Sequence, residues 1–465
     1  MSDTHTGATA PGSGGSGEPG PSGRPHTPIA RVVAASMLGT TVEWYDYFLY
    51  GVAAALVFPQ VFFPNTEGAV GTLLSLGTFA VGFIARPVGG LVFGHYGDKI
   101  GRKKLLVLSL LMMGIATFAI GLLPGYATIG AFAPILLVVL RLIQGFALGG
   151  EWGGAVLIVS EHGRPEHRGF WASWPQAGAP AGQLIAQAML AIMALVQSEE
   201  AFMAWGWRIP FLLSAVLVLI GLYVRLAVEE SPVFRDAQAK AAERTAAGGK
   251  ETMPILDVFR QYPREVLTAM GARFAENVSY YIFTIVITTY VTTQLDLPSS
   301  FVLGAVLIGA AVHLVTIPMW GAVSDRVGRK PVYLFGAVGV GVWAFAFFFL
   351  LETRSFALTA IAVSVGLVLH GAMYGPQAAF LSELFGTKVR YSGVSIGYQL
   401  ASVFAGGLAP LIAVALLTAT GTGYSIAVYI AASAVLTIIA VAGYGETRTR
   451  RLDDVGEGSG VAPRG

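Results

Sequence analysis

The chain runs to 465 residues, 54% of them hydrophobic and only 12% charged, where a soluble protein carries roughly 25% charged residues. The apolar residues come in runs of about 20 or more, the length that crosses a bilayer. The sequence therefore predicts an integral membrane protein and excludes the roughly three soluble domains its length would otherwise allow. A net charge of +2 decides nothing by its sum, and with no cysteine there can be neither disulfides nor thiolate metal sites.

Residues 1–28 are rich in Gly, Pro, Ser and Thr without an apolar core, and read as a disordered cytoplasmic tail. They lack the apolar region and cleavage site of a signal peptide, so the first hydrophobic run reads as the first span. Twelve spans are expected. Six, at roughly 31–58, 70–94, 105–123, 132–160, 169–197 and 207–227, make an N-terminal bundle over 29–227. Residues 228–263, including the charged, Ala-rich run EESPVFRDAQAKAAERTAAGGKE, read as a cytoplasmic linker or surface helix. Six more, at roughly 264–292, 301–322, 331–350, 356–382, 392–419 and 424–444, make a C-terminal bundle over 264–445, and 446–465 form a second cytoplasmic tail. Each span must satisfy its own backbone in lipid, so the fold class is all-α.

Of the 29 Lys and Arg, 24 fall in the tails, the linker and the loops after spans 2, 4, 8 and 10. Arg208 and Arg354 fall on the opposite side, and Arg86, Arg141 and Arg273 inside spans. This asymmetry predicts a multi-pass cell-membrane protein with both termini and the linker in the cytoplasm.

Charges inside spans are costly and as a rule face a water-filled path. Span 1 carries Glu43 and Asp46, with Tyr47 and Tyr50 each four residues beyond one of them, which puts carboxylates and phenols on one side of a helix. Span 2 carries Arg86, and span 4 carries Arg141, Gln144 and Glu151 on one stripe. Span 7 carries Arg273, Glu276, Asn277, Tyr280 and Tyr281 within one face, and span 10 carries His370, Tyr374 and Gln377. Among the 59 glycines, Gly89-Gly90, Gly149-Gly150 with Gly153-Gly154, and Gly406-Gly407 are expected helix crossings. His162 and His167 read as solvated loop residues, and His313 in span 8 as a packed or pore-facing histidine with no ligand. Trp205 and Trp207 sit where an aromatic belt is expected.

The segment from Arg86 to Lys104 breaks from an apolar run into a basic turn, which returns at Gly321–Lys330. Asp98 to Asp325 and Arg102 to Arg329 are the same step, 227 residues. Ser160-Glu161 with Arg168-Gly169 is echoed 222 residues on by Ser382-Glu383 with Arg390. The two spacings predict a duplicated half of about 200 residues.

Two six-helix halves, each with Gly-x-x-x-Asp-x-x-Gly-Arg-Lys after its second helix, resemble the major facilitator superfamily. The first copy is Gly94, Asp98, Gly101, Arg102 and Lys103; the second is Gly321, Asp325, Gly328, Arg329 and Lys330. Three segments narrow the likeness: Val42–Tyr47 with Phe62-Phe63-Pro64, Arg141–Gly145 leading to Gly149–Gly154, and Trp205–Phe211. Together they resemble the metabolite:proton symporter family, which includes permeases for shikimate, α-ketoglutarate, citrate, and proline with glycine betaine. The likeness covers about residues 30 to 445 and is greatest to the shikimate-type members. It implies twelve helices in two pseudo-symmetric bundles.

It also implies roles. In the superfamily the motif's Asp and the following Arg hold the bundles together on the cytoplasmic side, and a carboxylate there can face the positive end of a neighbouring helix. That makes Gly94, Asp98, Arg102, Asp325 and Arg329 a gate, to which Glu161 with Arg168, and Glu383 with Arg390, add charged partners. Proton coupling needs a carboxyl whose protonation changes as cationic neighbours and water come and go. Glu43, Asp46 and Glu151 qualify, with Arg86 and Arg141 as partners, and the resemblance links the Arg141 segment to proton transfer. Arginine's planar fork matches a carboxylate with two hydrogen bonds. For an organic acid, Arg86 and Arg273 are then the anchors, with Tyr50, Tyr281, Tyr374 and Gln377 reading hydroxyls. A betaine would want aromatic faces, from Trp44, Trp174, Tyr281 and Tyr374.

The expected function is import of a small polar metabolite, an organic acid of the shikimate or dicarboxylate type, with a proton, by alternating access. One alternative is a proton symporter for osmolytes such as proline and glycine betaine. Another is a proton-driven exporter: Ala177–Gly182 partly matches the exporters' Gly-Pro element, but Gln183-Leu184 replace its paired glycines. A primary pump would need a phosphate loop, and Gly248-Gly249-Lys250-Glu251 lacks its spacing and hydroxyl. No segment outside the spans exceeds about 36 residues, below the size of a sensor domain. Nothing points to an enzyme. The expected partners are a small-molecule substrate and the lipid bilayer, with no nucleic acid, no metal and no cofactor beyond the proton as coupling ion. The chain is expected to act as a monomer.

Overall fold

A chain in lipid can satisfy its backbone only internally, and the computed structural model is built of helices accordingly. It describes residues 29–66, 68–100, 102–162, 165–227, 254–386 and 389–450. The predicted tail 1–28, residues 228–253 of the linker and the end of the chain from 451 lie outside the described residues.

Twelve long helical segments fill the two halves. Spans 1 to 3 are Ile29–Leu56, Gly68–Ile100 and Arg102–Leu122. Span 4 is Phe132–Gly149, continued beyond Gly150 by Glu151–His162; spans 5 and 6 are Arg168–Val196 and Arg208–Ala227. Span 7 runs as Pro263–Tyr281, Ile282–Val286 and Ile287–Thr293. Spans 8 to 10 are Ser299–Val327, Arg329–Glu352 and Phe356–Leu384. Span 11 runs as Arg390–Ala401, Ser402–Gly407 and Ala409–Thr420, and span 12 is Tyr424–Ala442. The middle pieces of spans 7 and 11 are π-turns, which mark functional sites in many helices.

Nine of these segments are long and apolar enough among the described residues to cross a membrane by composition alone. The exceptions are spans 1, 5 and 7, and the fold hides the polar side chains of spans 1 and 7. Every residue from Gly39 to Ala54 of span 1 is buried, as is every residue of span 7 from Ala275 to Val286. A helix buried all round belongs to the interior.

Span 5 packs across the molecule on spans 8 and 10, and span 2 packs on span 11. Under the repeat, span 2 corresponds to span 8 and span 5 to span 11, so one seam is built twice. Glycines let the helices close. A Cβ on Gly89 would meet the carbonyl of Phe146, and one on Gly149 that of Arg86, so spans 2 and 4 cross backbone to backbone.

Trp207 departs from the aromatic-belt expectation. Trp205 is 57% exposed, but Trp207 is fully buried, against Phe58, Phe62 and Phe211. The Arg208 guanidinium lies 4.4 Å from its ring and donates to the carbonyls of Gly121 (3.1 Å) and Leu123 (2.6 Å). Tyr45 Oη donates to the Pro210 carbonyl at 2.7 Å. The Trp205–Phe211 signature thus staples spans 1, 3 and 6 together.

Candidate functional site

Asp46 sits at the heart of the N-terminal bundle, 1% exposed. Neither carboxylate oxygen has a hydrogen-bond partner among the described residues; Thr117 and Arg141 are its polar neighbours. Arg141 Nη1 donates to Gln144 Oε1 at 3.0 Å, and Gln144 Nε2 donates to Thr117 Oγ1 at 2.7 Å. The guanidinium lies 4.2 Å from the ring of Tyr50 and 5.0 Å from that of Tyr47. Tyr50 Oη pairs with Thr78 Oγ1 at 2.6 Å. Arg86 lies 4.0 Å from the Phe83 ring and 5.0 Å from Tyr47.

Glu43 and Glu151 go elsewhere. Both pair with Arg225 near the end of span 6, Glu43 at 2.7 Å. Arg86 and Arg141 are therefore not the partners of these two carboxylates. Nor does Arg225 belong with the loop cations among which its position in the chain had placed it: it is buried, with Nη1 also donating to the Leu106 carbonyl at 2.6 Å.

In the C-terminal bundle Arg273 gathers a network. It donates to Glu276 (2.6 Å), Gln377 (3.0 Å), Asn277 (3.2 Å) and Ser402 (3.1 Å). Its guanidinium lies 3.4 Å from the Tyr398 ring, which stacks on Trp152 of the other half at 3.6 Å. Gln377 Nε2 donates to Tyr333 Oη at 2.8 Å. His313, packed in the interior, is 2.9 Å from His370, which lies 3.3 Å from Glu276.

An aromatic layer separates the two networks. Tyr281 is 6.0 Å from Tyr47 and 5.7 Å from Phe83, and Tyr280 is 6.2 Å from Trp44, between ring centres. Near it, Gln183 Nε2, Asn277 Nδ2 and Tyr374 Oη lack partners among the described residues, as do both amide atoms of Gln187, one turn on from Gln183. Leaving such an atom buried and unpaired costs about 1–3 kcal/mol, so a cluster of them is what a polar solute would satisfy.

The face carrying the basic turns is tied shut. Asp325 accepts from the N–H groups of Gly169 and Phe170, both at 2.8 Å, in the first turn of span 5. A carboxylate from one half thus sits on the positive end of a helix in the other. Arg329 donates to Asp325 (2.7 Å), Ser324 (2.7 Å) and Glu383 (3.4 Å). Glu383 also bridges to Arg168 of the opposite half at 3.0 Å and accepts from Thr447 at 2.6 Å. Buried beside them, Arg390 donates to the carbonyls of Ser382 and Phe385, both at 3.1 Å. Gly321, four residues before Asp325 on the same face, explains the motif's first glycine: a Cβ there would come 2.6 Å from the Gly169 carbonyl. The predicted gate residues Gly94, Asp98, Arg102 and Glu161 lie outside the residues whose side chains are described.

The Major Facilitator Superfamily model matches residues 36–397 and 269–463. The chain belongs to the Major Facilitator Superfamily. It is therefore a membrane transporter and not an enzyme. The shikimate transporter of Escherichia coli is 41% identical over 87% of this chain and 92% of its own. The inner membrane metabolite transport protein YhjE of Escherichia coli is 42% identical over 92% and 97%. The proton:xylose symporter XylE bound to 6-bromo-6-deoxy-D-glucose shares the superfamily fold, with a TM-score of 0.73 at 19% identity over 91% of this chain and 98% of its own.

Against that superfamily frame, sequence reasoning missed Arg225, Gln183, Gln187 and the Tyr398–Trp152 stack. Gln183 and Gln187 carry a usable signal, being amides four apart within a span, with Gln176 seven residues before the first. Arg225 sits one turn from a span end and carries none.

Proposed function

We propose that this transporter is a symporter that imports a small organic acid of the shikimate or dicarboxylate type together with a proton. One observation carries the reading: the Asp46 carboxylate is buried beside Thr117 and Arg141 with no ion pair among the described residues. A carboxylate so placed is stabilised by its proton when the cation turns away, and by the cation when the proton leaves. Arg86 and Arg273, on either side of the aromatic layer, match an acid's carboxylate, while Tyr281, Tyr374 and Gln377 suit its hydroxyls. Glu43 and Glu151, held by Arg225, serve closure of the bundle in this reading rather than proton transfer. Likeness to a shikimate transporter supports the acid class. The tied face is the cytoplasmic one, with both termini on it, and the working unit is a monomer.

The osmolyte reading keeps one observation of its own, the Trp44–Tyr280 edge contact beside Tyr281, which offers a cationic solute ring faces.

Protein in liposomes should accumulate shikimate only under an inward proton gradient. Asp46→Asn should abolish accumulation while sparing counterflow. Uptake indifferent to the gradient, or a variant that still accumulates, would remove Asp46 from coupling; glycine betaine taken up in place of shikimate would favour the osmolyte reading.

A further inference from the structure

Three buried titratable groups of the C-terminal bundle take no part in that scheme: Glu276 on span 7, His313 on span 8 and His370 on span 10. They join end to end. His370 Nε2 lies 3.3 Å from Glu276 Oε1, and His370 Nδ1 lies 2.9 Å from His313 Nε2. Glu276 Oε2 holds Arg273 at 2.6 Å. The far end, His313 Nδ1, has no partner among the described residues.

These contacts fix the direction of the chain. An ionised Glu276 only accepts, so His370 carries its hydrogen on Nε2. Its Nδ1 is then a lone pair that must accept from His313 Nε2–H, which leaves His313 Nδ1 as a bare lone pair. Both hydrogens point toward the carboxylate, and the buried, unpartnered Nδ1 of His313 is the acceptor at the other end.

We propose that His313, His370 and Glu276 form a proton-loading chain, a second protonation site in this transporter, whose filling frees Arg273 for an anionic substrate. In one passage His313 Nδ1 takes a proton from hydronium and His313 Nε2–H breaks as His370 Nδ1–H forms. His370 Nε2–H then breaks as Glu276 Oε1–H forms. Each ring ends neutral in its other tautomer, Glu276 ends neutral, and the water is returned. The reverse passage restores both tautomers. Neutral Glu276 loosens its hold on Arg273, whose planar fork then suits a carboxylate.

Among the described residues, the charged group that faces these three is Arg273. Span 7 adds Tyr280, stacked on His370 at 4.9 Å, and span 10 adds Tyr374, whose ring centre is 5.4 Å from that of His370. Tyr333 of span 9 reaches Glu276 through Gln377, Tyr398 of span 11 lies on Arg273, and span 5 presents the neutral Gln183 to Tyr280. Tyrosines hold their protons throughout the physiological range.

The protonation site stands apart from the symport reading; the freeing of Arg273 for substrate rests on it. Two measurements on the full chain separate them, both in an Asp46→Asn background. Without substrate, the infrared carboxylic C=O band should grow as pH falls. Its Glu276 component should vanish in Glu276→Gln, and should appear at a pH changed by about one unit in His370→Phe. With shikimate as probe, half-saturation of counterflow should weaken about tenfold per pH unit on the alkaline side and lose that dependence in Glu276→Gln. A band untouched by Glu276→Gln, or one that ignores His370→Phe, overturns the chain. Counterflow that keeps its pH dependence in Glu276→Gln overturns the link to Arg273. A band that behaves as expected with no shikimate transport keeps the site and sinks the shikimate reading instead.

Discussion

Asp325 carries more of the closed face than any other single side chain described. It stands on the N-terminus of span 5 with one oxygen for each of two backbone N–H groups, and Arg329 fixes it from behind. Gly328 makes that possible, since its φ of +118° lies where side chains rarely go and turns span 8 sharply into span 9. Of its contacts, only the two N–H bonds from span 5 cross between the halves, and a hydrogen bond to a charged group contributes about 1.5–3 kcal/mol. Asp325→Asn should shift the open–closed balance toward the open form by about that amount. The chain has no cysteine of its own, so one placed at the buried Ser395 reports directly. Its maleimide labelling should speed up in Asp325→Asn, and labelling at the parent rate would show that this cap does not hold the face shut.

At the scale of elements, the segment after span 12 acts as a strap. Span 9 starts from Gly328, which has no side chain to cap it, and Glu446 does so from 117 positions away: its oxygens accept from Arg329 N at 2.9 Å and Lys330 N at 3.0 Å. Burial alone would raise this carboxyl's pKa, but bonds from the N–H groups of Arg448, Arg329, Lys330 and Thr447 outweigh it and hold the value below the ordinary 4.5. A folded pKa that is depressed contributes docking stability above the ordinary value, lost as pH falls through the folded one. Protection of the Arg329 and Lys330 amides, relative to their intrinsic exchange rates, should therefore fall below about pH 4.5, and Glu446→Gln should show the same loss at neutral pH. Protection unchanged in the variant would mean that the strap docks without this carboxylate. The elements themselves were largely legible. Nine spans follow from length and apolarity, which lipid demands of any helix, and span 1 shows itself by the helical steps of Glu43, Asp46, Tyr47 and Tyr50. Pairing was not legible. Arg225 finds Glu43 across 182 positions and Arg168 finds Glu383 across 215, and nothing local in either segment records which distant charge will face it. The contact of His313 with His370, 57 residues on, was hidden for the same reason.

For the whole molecule, the question is which seams must part if a solute is to leave on the basic face. Beside the span 5–span 8 contact, span 11 docks on the break in span 4. Tyr391 Oη donates to the Gly150 carbonyl at 2.6 Å, Gln399 Nε2 donates to the Gly149 carbonyl at 2.9 Å, and Tyr398 stacks on Trp152. The glycine run Gly149–Gly154 therefore serves two partners, span 2 on one side and the opposite half on the other. These contacts are neutral hydrogen bonds and one aromatic stack, so this seam can open without stranding a buried charge, unlike the ring at Asp325 and Glu383. A Cβ at Gly153 would touch the Ser395 hydroxyl, which makes the pair Gly153→Cys and Ser395→Cys a bridge across the halves in a chain free of other thiols. Under alternating access, oxidation of the double variant should bring uptake to background and reduction should restore it, while each single variant keeps transporting. Oxidised protein that transports as fast as reduced protein would mean that the halves never separate here, and that the path opens within one bundle rather than between them.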